Sequence, residues 1–171
     1  MKGVRRSLLC DGVAKTATAE ADVPLLEVAR AQLDMRRLIR GCEDGRCGAC
    51  RALLDGALVA TCRVPWEAVP EGATIASAAS VEGTPAVARV LGAFESERPT
   101  RCRMCVGGLA VTAAALERQG ASPENVEALL EGATCSCTGR GSWRRALGAV
   151  SMESPTPANL SVRGRQGRRP S

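Results

Sequence analysis

Histidine and tyrosine are absent from the 171 residues, and the aromatic side chains amount to one Phe and two Trp. Without histidine the chain lacks the ligand that catalytic zinc normally enlists. With so few aromatics the core must be built from Leu, Val and Ala, which bury less area apiece, so another device is expected to stiffen the fold. No apolar run approaches the length of a membrane-spanning helix. The basic start, Met1-Lys2-Gly3-Val4-Arg5-Arg6, meets Asp11-Gly12 before the apolar segment of an export signal develops, so Ser7 to Ala14 reads as a first strand.

A net charge of +5 raises the question of nucleic acid, but much of the excess lies in the final SVRGRQGRRPS. There Arg163, Arg165, Arg168 and Arg169 alternate with small and polar residues, with no apolar period and nothing to stack on bases. Residues 153–171 therefore read as a disordered basic tail, and neither nucleic-acid binding nor membrane insertion is expected.

Cysteine is what the chain has in quantity. Of nine, Cys42, Cys47, Cys50 and Cys62 fall in the first half, Cys102, Cys105, Cys135 and Cys137 in the second, and Cys10 stands apart as a small buried hydrophobe of the first strand. Unpaired thiols in this number point to metal or redox chemistry in a cytoplasmic protein.

The first half reads as α+β. Leu8 to Ala14 and Lys15 to Ala19 form a hairpin, and Leu25, Leu26, Ala29 and Leu33 recur at helical spacing after Pro24. Asp55-Gly56 between two apolar runs is a hairpin signal that carries Cys62 back toward the cysteine loop. Val64 to Gly83 suits a strand followed by a connector. From Pro85 the pattern is helical: Val87, Val90, Leu91 and Phe94 mark one helix and Leu109, Ala113 and Leu116 a second. Ser122-Pro123-Glu124 opens a third that ends at Gly132, and Ser142 caps a fourth through Trp143, Leu147 and Val150.

The stretch GCEDGRCGAC, Gly41 to Cys50, with Cys62 gives C-x4-C-x2-C-x11-C. Zinc ribbons arrive as two separated C-x2-C knuckles, and a thioredoxin-like Cys47-Gly48-Ala49-Cys50 leaves two thiols surplus. The spacing with a distant fourth Cys is that of plant-type 2Fe-2S centres. Such a cluster is anionic, and Gly41, Gly45 and Gly48 let the loop turn backbone N–H groups toward it. The second set is C-x2-C-x29-C-x1-C, Cys102, Cys105, Cys135 and Cys137. An antiparallel helix pair brings these four together, and a second 2Fe-2S cluster is the natural inference. Two all-thiolate zinc sites in a non-enzymatic interaction module remain the alternative.

The order of GCEDGRCGAC, LLDGALVATC and CSCTG resembles the small iron-sulfur subunit of the molybdenum hydroxylases, the xanthine dehydrogenase and carbon monoxide dehydrogenase family, from about Ser7 to Val150. The resemblance implies an N-terminal plant-type ferredoxin-like (β-grasp) domain over residues 1–80, followed by a four-helix 2Fe-2S-binding bundle over residues 81–152. It implies molybdopterin in a large partner subunit, FAD in a medium one, and possible assembly as a dimer of heterotrimers. Electrons would pass from molybdopterin through the Cys102, Cys105, Cys135, Cys137 cluster and the Cys42, Cys47, Cys50, Cys62 cluster to FAD. The chain would be the electron-transfer subunit of an oxidoreductase, with no substrate-converting site of its own.

The match has gaps. The family's Gln-Cys-Gly-x-Cys-Thr-Pro-Gly is here Arg101-Cys102-Arg103-Met104-Cys105-Val106-Gly107-Gly108. Guanidinium only donates hydrogen bonds where the family's Gln amide both donates and accepts, so the pterin contact does not transfer to Arg101. Asn-x-Cys-Arg-Cys-Thr-Gly-Tyr is here Ala133 to Arg140. All four thiols are kept while their neighbours change, which leaves open an unusual molybdenum subunit or a flavin dehydrogenase without molybdenum. Arg101, Arg103 and Arg140 read equally as partner-facing groups or as ordinary solvated or ion-paired charges. Trp66 and Trp143 read as core or interface packing.

Overall fold

A computed structural model describes residues 3–96, 102–120, 122–131 and 137–151. Its first half is a five-stranded mixed sheet. Strands β1 (Val4–Cys10) and β2 (Val13–Ala19) form an antiparallel hairpin, helix α1 (Leu25–Ala31) follows, and β3 (Arg51–Leu54) and β4 (Ala57–Ala60) form a second hairpin. β5 (Thr74–Ala76) enters between them, parallel to β1 and antiparallel to β3, giving the order β2-β1-β5-β3-β4. The second half is helical: short α2 (Ala78–Val81), then α3 (Pro85–Ser96), α4 (Val106–Gln119), α5 (Pro123–Leu130) and α6 (Gly139–Gly148).

Both hairpins turn on Asp-Gly. At Asp11-Gly12 φ is +47° and +82°, and at Asp55-Gly56 it is +49° and +84°, the doubly positive pattern of a type I′ turn that matches strand twist. The second turn stands where the sequence predicts it. The first corrects the expected boundaries: β1 starts at Val4 and ends before Asp11, so Ala14 belongs to β2. Alternation confirms the register, since Leu8 and Cys10 are buried while Leu9 is exposed.

Helix ends differ in a similar way. α1 stops at Ala31, although Leu33 just beyond is fully buried. α6 begins at Gly139, three residues before the expected cap at Ser142. Its first turn, Gly139-Arg140-Gly141, has no apolar residue, so the periodic signal starts only at Trp143. α5 opens as expected, with the Ser122 hydroxyl accepting from the Asn125 N–H at 3.2 Å. Gly132, its expected end, and the tail from residue 153 lie outside the described residues. Within Val64 to Gly83 the expected strand is β5, and the connector after it holds a short helix, α2, with the Ser77 hydroxyl accepting from the Ala79 N–H.

Two cores meet at β3. Cys50 and Ala52 belong to the core between sheet and α1, with Leu25, Leu26, Trp66 and Ile75, while Leu53 joins the helical core with Phe94, Leu109, Leu116 and Trp143. Strand alternation produces this division: one side of β3 faces α1 and the other faces α4. α4 is buried continuously from Gly108 to Leu116 and packs on α2, α3, α5 and β3. α5 and α6 are tied at their surface by Glu127, which accepts from Arg140 at 3.0 Å and from Arg144 at 3.1 Å.

Two outcomes follow. A Cβ at Gly108 would lie 1.7 Å from the Gly48 carbonyl oxygen, a backbone atom, so Gly108→Ala should cost about 3 kcal/mol or more in denaturant unfolding, at the upper end for overpacking. A loss below a third of that would mean the halves do not meet there. The Arg144 and Arg140 guanidinium groups hold the Glu127 carboxyl below its ordinary value of 4.5. Its contribution is therefore present above that value and is lost as pH falls through the lowered folded one. Thermal midpoints of the native chain and Glu127→Gln should differ near neutrality and converge in strong acid.

Candidate metal centre

The loop between α1 and β3 carries three thiols and is held at both ends by backbone bonds. The Ile39 N–H donates to Ala49 O at 3.2 Å and the Arg51 N–H to Gly48 O at 3.2 Å. Register in the β3–β4 hairpin pairs Arg51 with Ala60, which sets Thr61 beside Cys50. The fully buried Thr61 clamps that position: its hydroxyl donates to Cys50 O at 2.8 Å and its N–H to the same oxygen at 3.3 Å. Cys62, the next residue, is thereby brought to the loop.

Within this set the thiols stand in two pairs. The Cys42 N–H points at Cys47 Sγ at 3.4 Å and the Cys47 N–H at Cys42 Sγ at 3.1 Å. The Cys50 thiol lies close enough to Cys62 to act on its sulfur. Burial, followed by the Cys50 thiol, pushes the Cys62 thiol up to about 12. Burial also raises Cys47, against the Ala49 and Cys42 backbone bonds to its sulfur. A metal bound there would have to displace the thiol protons. Beside them, Arg46 holds the Asp44 carboxyl well below the usual carboxylate range.

Of the second set, Cys105 is buried at the foot of α4, Cys102 is half-buried and Cys137 is exposed. Cys135 and Arg101 lie outside the described residues. Cys105 Sγ lies 3.8 Å from Thr138 Oγ1 at the foot of α6, so the ends of the two helices adjoin. A cleft of about 280 Å³ is lined by Cys42 and Cys47 from one set and Cys102, Cys105 and Cys137 from the other, with Gly41, Ala49 and the exposed Met104 completing it. Five of the eight expected ligands thus face one space. Among the described residues, no three acidic or thiol groups converge at the spacing of a single metal ion.

The donor chemistry fits a two-metal sulfide cluster. A 2Fe-2S centre takes two thiolates on each iron, so it needs pairs rather than one tetrahedral focus. The loop also leaves room for sulfur: a Cβ on Gly41 would stand 2.5 Å from Cys47 Sγ.

Arg51, which belongs to none of the sequence motifs, sits beside this loop. Only 7% exposed, its Nη1 donates to Thr112 Oγ1 at 2.9 Å, and its guanidinium carbon lies 5.3 Å from the centre of the Trp143 ring. Thr112 in turn donates to Gly108 O at 2.7 Å. Gly48, at φ +76°, gives way to the same indole, whose ring carbon would be 2.7 Å from a Cβ there. Burial pushes the guanidinium down, and the Cys50 and Cys47 thiols oppose that shift. Arg51 has no ion pair with a carboxylate among the described residues. A charge opening a strand that is buried on both faces is the one signal of it in the sequence.

Two other arginines are accounted for locally. Arg103 pairs with Glu95, and Arg140 with Glu127. Cys10 is buried in β1, where desolvation raises its thiol.

No protein-family model matches the chain. It is 30% identical over 131 residues to the nicotine 6-hydroxylase small subunit of Paenarthrobacter nicotinovorans, covering 75% of this chain and 78% of that one. It is 27% identical over 142 residues to the nicotinate dehydrogenase small FeS subunit of Eubacterium barkeri, covering 81% and 89%. Its fold superimposes with a TM-score of 0.71 and 26% identity on the crystal structure of the aldehyde oxidoreductase from Desulfovibrio desulfuricans, over 88% of this chain and 17% of that longer one. It likewise spans 15% of the aldehyde oxidoreductase of Megalodesulfovibrio gigas. With a thiol framework of this kind and small-subunit relatives matched over most of their length, the chain belongs to the small iron-sulfur subunits of the molybdenum hydroxylase family.

Proposed function

We propose that this chain holds two 2Fe-2S clusters and relays single electrons from a molybdopterin-bearing large subunit to an FAD-bearing medium subunit. Cys42, Cys47, Cys50 and Cys62 hold one cluster in a ferredoxin-like domain, residues 1–80. Cys102, Cys105, Cys135 and Cys137 hold the other in a helical domain, residues 81–152. The observation that carries this reading is the shared cleft, where thiols of both sets face each other across the contact between Gly48 and α4.

A 2Fe-2S cluster supplies storage of one electron at a time, an iron passing between ferric and ferrous. The chain's own part is to bind and to tune. The amides of Cys42, Cys47 and Ala49 aim at thiol sulfurs and would stabilise added negative charge there. Burial of Cys50 and Cys105 keeps water from part of each set. Exposed Met104, between Cys102 and Cys105, puts an apolar side chain at the mouth of the cleft where a partner would dock. Substrate conversion belongs to the large subunit, in a complex assembled as a dimer of heterotrimers.

Two measurements test this. The purified chain should hold about four iron and four acid-labile sulfide, with Cys62→Ser and Cys105→Ser each losing about half. Zinc in a colourless protein would overturn it. The native complex should contain molybdenum and flavin, and iron with flavin but no molybdenum or pterin would contradict the proposed partner.

A further inference from the structure

We infer that Arg51 is a fixed positive charge that raises the reduction potential of the Cys42, Cys47, Cys50, Cys62 cluster, biasing a shared electron toward it. This rests on the two-cluster reading and adds a specific tuning residue to it.

Buried cations are normally paired, because an uncompensated charge away from water is costly. Arg51 is 7% exposed, and among the described residues the only hydrogen bond of its guanidinium goes to a neutral hydroxyl, that of Thr112. Asp44 and Glu131 line a cleft of about 330 Å³ that also touches Arg51, but neither pairs with it, and Asp44 is engaged by Arg46. A four-thiolate cluster is an anion and gains one more negative charge when an iron is reduced. The cation therefore has its compensating charge in the cluster, and more of it in the reduced state than in the oxidised one.

Position makes the effect unequal between the two centres. Arg51 follows Cys50 directly in the chain, and the Cys50 and Cys47 thiols both act on its guanidinium. The Trp143 ring packs on Gly48 of the cluster loop with one part and on the guanidinium with its face, so the charge is held directly behind that loop. Cys105 is seven residues from Thr112 along α4, about 10 Å by helical rise. Coulomb energy falls with distance, and at the effective dielectric of partly buried sites a charge within about 10 Å changes a one-electron equilibrium by about tenfold. Reduction adds one electron from the titrant to one ferric iron and transfers no proton to Arg51.

The test is a mediated redox titration of the cluster-loaded chain, with the two centres followed separately by electron paramagnetic resonance. Arg51→Gln should lower the reduction equilibrium of the first cluster about tenfold, a shift of about 59 mV to more negative potential, and move the second cluster less. Arg51→Lys, which keeps the charge, should recover most of that shift. Should the Gln variant not fold, Arg51→Met, close in length and needing no hydrogen bond, serves in its place. Loaded clusters with unmoved potentials, equal shifts at both centres, or a Lys variant as far displaced as Gln would overturn the inference alone. A native chain without iron would overturn the function it rests on.

Discussion

The contact between Gly48 and Gly108 is the constraint on which the rest of this structure depends. One glycine lies in the thiol loop and the other on the first turn of α4, and a methyl group on Gly108 would meet the opposing carbonyl oxygen at 1.7 Å. Because the halves touch backbone to backbone, loop and helix share one register. Cys47 and Cys50 flank one side of that contact, and Cys105 lies three residues before the other. Thiols separated by more than fifty residues can therefore line a single cleft. A chain poor in aromatics makes such a contact through small residues: α4 is largely Gly, Ala and Val and is buried on nearly every side.

Electrostatics then shape what that contact encloses. Thiols pushed upward by burial are poor anions on their own, and Cys62 is the strongest case. In the proposed reading metal would supply the compensation from inside the loop, while backbone amides and Arg51 would supply it from outside. The same arrangement accounts for a cation at the opening of a strand buried on both faces, where an apolar residue would otherwise be expected.

Much of this is legible in the sequence because it rests on local rules. Cysteine spacing divides the thiols into the two proposed sets, and Asp55-Gly56 returns Cys62 to the loop because a type I′ turn fixes hairpin register. The same rule, applied strictly at Asp11-Gly12, ends β1 at Cys10. α6 is read late because its first turn has no apolar residue, only the ion-paired Arg140. The Arg51, Thr112 and Trp143 junction is not legible. Its members are widely separated in sequence, and an isolated Arg or Trp does not announce that the two will stack. Kinship with small iron-sulfur subunits establishes the family and leaves the thiol assignments to chemistry. The departures near the second set are partly local, since Arg103 and Arg140 are engaged by Glu95 and Glu127.

Two clusters held by thiols that line one cleft would sit close together. Low-temperature electron paramagnetic resonance of the fully reduced protein tests this most directly, because unpaired spins at close range split each other's lines. Two signals showing mutual splitting, which collapses when one centre alone is reduced, are what the shared cleft predicts. Two unsplit signals, or a single one, would contradict it.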